Sequence, residues 1–298
     1  MADRQSAEPV TTPATVAGIV RPPRRPAGWR PPGPPAPAPP GRPELWPRAG
    51  EDLCYLAGNW RILQRLDGHR WSLDDLVTAW FAATQARAAP PARTADLGCG
   101  IGAVLLLLAW YFPAARCLGV EAQAVSVELA RRSLGWNGVE DRCEVRHGDL
   151  RDPSIVPEGA AFDLVTGTPP YLRPGAATAP RSAQRAGCHL TFLGGFADYC
   201  VAAARLLRPQ GRFVACAGAV NASEVAEAAR RAGLGVDRCV DVIPREGKGP
   251  LFTVYSMGRA LELELVTVRT DRPLVVRDRA RGRTDAFRRL RETMGMPP

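Results

Sequence analysis

Apolar positions divide the chain into stretches of different character. Through residues 1–47 they show no period and are interrupted by 14 of the 29 prolines. Such a segment has little apolar surface to set against the entropy of ordering it, so the pattern predicts a disordered, partly polyproline-II tail. From about residue 49 the pattern becomes globular. Residues 49–90 read as a hairpin-like piece ending near Gly68, then a helix whose start is marked by Ser72 with Asp75 three residues later. Beyond Pro90–Pro91, short strand-like runs alternate with helical ones. "RTADL" precedes a helix at 102–112, "RCLGV" one at 122–134, "FDLVTG" a long loop and a helix at 190–207, and "GRFVACAG" one at 221–232; "CEVRH" is followed by a short irregular segment.

This alternation predicts an α/β fold in which a mostly parallel sheet carries helices on both faces. The last two long strands, "LGVDRCVDVI" and "LFTVYSM", are joined by only "PREGKGP", too short for a crossover, so the final strand should run antiparallel. The expected divisions are a tail at 1–47, an N-terminal helical and hairpin element at 49–90, the α/β domain at 91–260, and a basic C-terminal extension at 261–298.

Charge adds one feature. The net charge of +9 is concentrated at the ends: residues 1–50 carry seven Arg against three acids, residues 272–298 eight Arg against three, and the middle is neutral. Arginine-rich ends on a neutral body suit either solubility or contact with a phosphate backbone. The eight cysteines form no C-x-x-C pair, and no His cluster has metal-ligand spacing, which argues for a reduced, cytoplasmic protein without a zinc site. The longest apolar run, "AVLLLLAWYF", is too short to cross a bilayer. No membrane partner is expected.

Chemistry concentrates at predicted strand ends. "DLGCGIG" spans Asp96, Gly98, Cys99, Gly100 and Gly102 at the end of the first strand, where glycines let backbone approach a ligand at a helix N-terminus. The run alone fits a tight turn, a dinucleotide or S-adenosylmethionine. Glu121, before Ala122, ends the second strand where a carboxylate can accept ribose hydroxyls; Asp149, before Leu150, ends the third, within reach of an adenine amine. After the fourth comes "TPPY", Thr168, Pro169, Pro170 and Tyr171. Two prolines fix the backbone and lack N–H donors, which suits a rigid carbonyl acceptor for an amine, and a tyrosine can stack on a flat group.

In this order, "DLGCGIG", "GVEAQ", "HGDL" and "TPPY" resemble the amino-methylating class I methyltransferases, whose fourth motif is Asn/Asp/Ser-Pro-Pro-Tyr/Phe/Trp. "GHRWSLDDLVTAWFA" and "RPLVVRDRARGRTDAF" are further similar to the entry and closing segments of the bacterial tRNA1(Val) adenine-N6 methyltransferases. The resemblance covers roughly residues 53–290. It implies a Rossmann-like fold with a seven-stranded sheet, S-adenosylmethionine as cofactor, tRNA or other RNA as partner, and catalysis at Thr168, Pro169, Pro170 and Tyr171. It also implies an unpaired adenosine entering past the loop 172–189, whose Arg173, Arg181, Arg185 and His189 would meet phosphates. The chain has Thr168 where that family usually has Asn. Two alternatives stay open: N5-methylation of a protein glutamine, and S-adenosylmethionine binding without turnover in an RNA-binding protein.

Overall fold

Along the strand Leu207–Gly218, Phe213, Ala215 and Ala217 enter one hydrophobic core while Val214 and Cys216 enter another. The period-two alternation of a strand thus serves two helical layers, one on each face of the sheet. The computed structural model describes residues 16–34, 41–157, 161–170, 194–219, 222–260 and 268–298.

In chain order the elements are β1 (Ile19–Val20), a 3-10 turn (Pro43–Leu45), β2 (Glu51–Tyr55), β3 (Arg61–Arg65), α1 (Leu73–Gln85), β4 (Arg93–Leu97), α2 (Ala103–Tyr111), β5 (Arg116–Glu121), α3 (Ala124–Trp136), β6 (Cys143–His147) and β7 (Phe162–Gly167). Then follow α4 (Phe196–Leu206), β8 (Leu207–Gly218), α5 (Ala222–Arg231), β9 (Leu234–Ile243), β10 (Phe252–Arg259), β11 (Arg269–Thr270), β12 (Leu274–Val275) and α6 (Asp285–Thr293). The β2–β3 hairpin, α1, α2, α3 and α6 share the first core; α4 and α5 fill the second.

The large sheet runs β11-β9-β10-β8-β7-β4-β5-β6, with β12 also paired to β9. Only β10 is antiparallel to its neighbours. The reversed final strand follows from the short turn at residues 244–251. The expected seven strands are all present, but the sheet has nine, because two short pieces of the C-terminal extension add to the edge of β9. Strand order reverses at β4, which has β5 on one side and β7 on the other, and ligands of open α/β sheets sit at the carboxyl ends of such a pair.

One expectation is corrected. The described parts of residues 1–47 pack on the body. β1 pairs with β2, and Arg21 and Arg70 both bind the fully buried carboxylate of Asp52. Leu45 and Trp46 are buried, and Trp46 meets Trp136 edge to face at 5.0 Å. The buried guanidinium of Arg132 on α3 donates to the carbonyls of Glu44 (2.9 Å) and Trp46 and to the Glu51 carboxylate. Composition describes what a segment lacks; it cannot show that an arginine some ninety residues away will satisfy its carbonyls.

Candidate active site

The turn after β4 is built around its glycines. Gly98, Gly100 and Gly102 have φ of +58°, +56° and +87°, in the left-handed region that L side chains avoid. Gly98 carries a second constraint: a Cβ there would lie 2.0 Å from the Tyr199 hydroxyl oxygen, which rises beneath it from α4. The same ring would meet a Cβ on Gly167, the last residue of β7, at 2.6 Å. At Gly100, by contrast, a Cβ would meet nothing within 4 Å. Its backbone faces open space.

Buried carboxyl groups hold this turn. Asp96 accepts the Thr166 hydroxyl at 2.8 Å, joining β4 to β7, and also the Leu105 N–H; burial pushes its carboxyl up to about 7. Glu121, at the end of β5, accepts the N–H of Gly100 at 2.9 Å through one oxygen and that of Gln123 at 2.7 Å through the other. Burial raises its pKa as well. The Ala122 N–H is a third donor, and of the four lone-pair positions of the carboxylate one is left, so Glu121 can still accept a hydroxyl donor.

A third carboxyl group comes from α1. Asp75 accepts the Ser72 N–H at 3.0 Å, closing the first turn of the helix, and is hydrogen-bonded by the Thr168 side chain. Burial, with the neighbouring charge of Asp74, raises its carboxyl well above the usual range.

One cavity is lined by Gly98, Cys99, Gly100, Glu121, Ala122 and Leu150 together with Thr168, Pro169 and Pro170. The β4 turn, the end of β5 and the end of β7 therefore share a surface. Asp96 and Gly102 support the turn from behind and are not part of the cavity wall. The Asp149 carboxylate lies outside the wall too: Arg151 holds it at 2.5 Å, and that pairing keeps its pKa low. Tyr171, Arg173, Arg181, Arg185 and His189 lie outside the described residues.

The wall also includes His69, Asp74 and Asp75 from the approach to α1 and its first turn, and Tyr199 from α4. The sequence did carry a signal for Asp75, the "SLD" of the entry segment, which reads as a helix start and nothing more. Tyr199 had no such signal, because its role depends on glycines 32 and 101 residues earlier. The Cys99 thiol, also on the wall, is pushed well up by burial and is a poor nucleophile.

Residues 95–186 match the family model of a methyltransferase domain. The chain carries a class I methyltransferase domain. It is 32% identical over 139 residues to the tRNA1(Val) (adenine(37)-N6)-methyltransferase of Porphyromonas gingivalis, covering 46% of this chain and 53% of that protein. It is 29% identical over 203 residues to the enzyme of the same name from Dickeya chrysanthemi, 66% of this chain and 78% of that one. A release factor glutamine methyltransferase of Mycolicibacterium smegmatis is 37% identical over 100 residues, 33% of this chain and 34% of that one. The chain thus spans about half the length of the Porphyromonas gingivalis relative and about a third of the glutamine methyltransferase. Among solved structures, a predicted O-methyltransferase from Agrobacterium tumefaciens superposes with a TM-score of 0.57 at 20% identity, covering 75% of this chain and 98% of that one. That likeness concerns the fold alone.

S-adenosylmethionine fits the domain's donor set. The open face of Gly100 leaves room that any side chain would fill, Glu121 offers an acceptor for a ribose, and desolvated Asp75 suits a cationic ligand. Among the described residues no group of three or more His, Cys, Asp or Glu is placed to hold a metal ion, and no helix is long and apolar enough to cross a membrane.

Proposed function

We propose that this protein transfers a methyl group from S-adenosylmethionine to adenine N6 in RNA, with tRNA as the substrate, in the cytoplasm. The carrying observation is that Thr168, Pro169 and Pro170, at the end of β7, line the same cavity as the Gly98–Gly100 turn and Glu121. A flat amine held by the first group lies against a ligand held by the second.

When bound, S-adenosylmethionine supplies an electrophilic methyl group. The chain's task is to present an amine whose lone pair is free. An exocyclic amine on an aromatic ring is a poor nucleophile because that lone pair is delocalised into the ring. Acceptors aimed at its N–H bonds favour the pyramidal form, with the lone pair directed outward. The Pro169 carbonyl is one such acceptor, stiffened by the ring of the next residue. Thr168 is the other. Its hydroxyl donates to the Asp75 carboxylate, which leaves the oxygen lone pairs to accept from the amine. In this reading Asp75 adapts a threonine to the role that an asparagine carbonyl has in the resembled family. Tyr171 is assigned the stacking platform.

Adenine is favoured over a protein glutamine by the extent of the similarity. The match to the adenine enzyme of Dickeya chrysanthemi runs over 203 residues, whereas that to the glutamine enzyme stops at 100. Purified protein with isotopically labelled S-adenosylmethionine should label unfractionated tRNA and leave a release factor unlabelled. Label in the release factor alone would replace this reading with glutamine methylation.

A further inference from the structure

A cluster of basic side chains lies on the same rim of the sheet as the cavity. β10 runs antiparallel to β8, pairing Phe252 with Gly218, and β9 pairs Val242 with Phe252 on the other side. The turn between them, residues 244–251, therefore stands at the carboxyl end of the parallel strands, where Thr168 to Pro170 also stand. β12 pairs Leu274 with Val242 and brings the loop 277–283 to the same place. The two are tied together by the Glu246 N–H, which donates to the Arg277 carbonyl at 2.8 Å.

Residues 244–250 and 277–283 hold six basic side chains, Arg245, Lys248, Arg277, Arg279, Arg281 and Arg283, against two acids. Of the acids, Asp278 is engaged within its own loop, accepting the Gly282 N–H at 2.8 Å. Glu246 lies 3.7 Å from Arg279. Arg283 donates to the terminal oxygen of Pro298 at 2.5 Å, and the other four cations have no Asp or Glu within ion-pair distance among the described residues. The arginines also crowd one another: the backbones of Arg277 and Arg283 are bridged across the loop, and burial, followed by the charges of Arg277 and Arg288, lowers the pKa of Arg283. The loop is a built one. The Arg277 guanidinium donates to the Arg281 carbonyl at 2.7 Å, and Arg281 takes a φ of +67°, a conformation a non-glycine residue seldom adopts.

A solvated basic surface does not require its cations to be gathered on one rigid loop at one rim. From β7 to β9 is three strand spacings, about 14 Å, so the cluster is close enough for a chain whose amine lies at Thr168 to pass over it. We infer that the paired loops 244–250 and 277–283 form a docking surface for the phosphate backbone of the RNA substrate, a few nucleotides from the target base. The inference rests on the RNA reading above. An acidic protein segment is the competing occupant, but its carboxylates follow no fixed spacing, whereas a nucleic acid offers a continuous row of charges along the rim.

The test uses the full chain and a triple variant, Lys248→Gln, Arg279→Gln and Arg281→Gln, with unchanged melting temperature as the control for folding. With unfractionated tRNA as probe, the affinity of the parent should fall steeply with salt, and the triple variant should lose about one unit of the log–log salt slope for each phosphate contact removed, two to three in all. Its KM for tRNA at low salt should rise at least tenfold while kcat stays within a factor of two. A parent that methylates tRNA and a variant with the same KM and salt slope would overturn the docking surface and leave the RNA reading intact. A parent that labels only protein would remove both.

Discussion

The side chains of Asp75 and Thr168 are hydrogen-bonded at the cavity wall, which joins the first turn of α1 to the end of β7. These residues are 93 positions apart. The bond gives the threonine a defined donor direction, and the proposed chemistry uses the side of the oxygen that faces away from Asp75.

That bond makes turnover depend on the ionised form of Asp75. Burial and the charges of Asp74 and Asp96 raise its pKa, so the proton returns at a higher pH than for an ordinary aspartate. The rate of transfer should fall on acidification in a window lying above the usual carboxylate range. Asp75→Asn keeps an oxygen for the Ser72 N–H but cannot fix the threonine in the same way. It should lower kcat on the order of a hundredfold and flatten that acid limb. A pH–rate profile that is the same in both proteins would exclude the assignment.

Asp96 makes a prediction about stability. Its carboxyl titrates near 7 in the fold and near 3.8 without burial. Between those values the folded chain holds a proton that the unfolded chain has released. Stability from this group is fully present below about pH 4 and is lost as pH rises towards 7, by roughly 4 kcal/mol at most. Asp96→Asn, which never ionises, should show a flatter dependence of the denaturant midpoint between pH 5 and 7. Equal slopes for parent and variant would mean that the Thr166 and Leu105 donors already neutralise the cost of burial.

The two glycines of the turn should separate folding from binding. Gly98→Ala places a methyl group 2.0 Å from the Tyr199 hydroxyl oxygen at a φ of +58° and should destabilise the protein by about 3 kcal/mol or more. Gly100→Ala meets open space and costs about 1–2 kcal/mol of backbone strain. Its methyl group enters the cavity, so affinity for S-adenosylmethionine should fall far more than stability does. Calorimetry on both variants checks this; equal binding by Gly100→Ala and the parent would remove the cofactor from this wall.

Much of this was legible in the sequence because it is local. β4, β6, β7 and β9 start and end where their apolar runs do, and Ser72 with Asp75 marks the start of α1. The glycine turn, Glu121 and the proline pair follow from residue type at a strand end. What the sequence did not reveal involves distant partners. Arg151 pairs with the Asp149 carboxylate, Tyr199 reaches Gly98 and Gly167 from another helix, and Arg132 secures a proline-rich segment that composition alone assigns to disorder.

The last of these changes what truncation should do. Removing residues 1–47 takes away Leu45, Trp46 and two carbonyl partners of the buried Arg132 and should cost about 3–5 kcal/mol, a fall of roughly 10 °C. Thermal unfolding of the truncated and the full chain side by side decides between a docked segment and a passive tail.

In the function proposed above, the cavity joining the β4 glycine turn to the Thr168–Pro170 segment methylates adenine N6 in RNA. Its most direct test is mass-spectrometric nucleoside analysis of tRNA from cells with and without this gene, repeated with the gene carrying Thr168→Val. N6-methyladenosine should be present with the parent gene and lost both in its absence and with the valine variant. An unchanged N6-methyladenosine content across all three would contradict it.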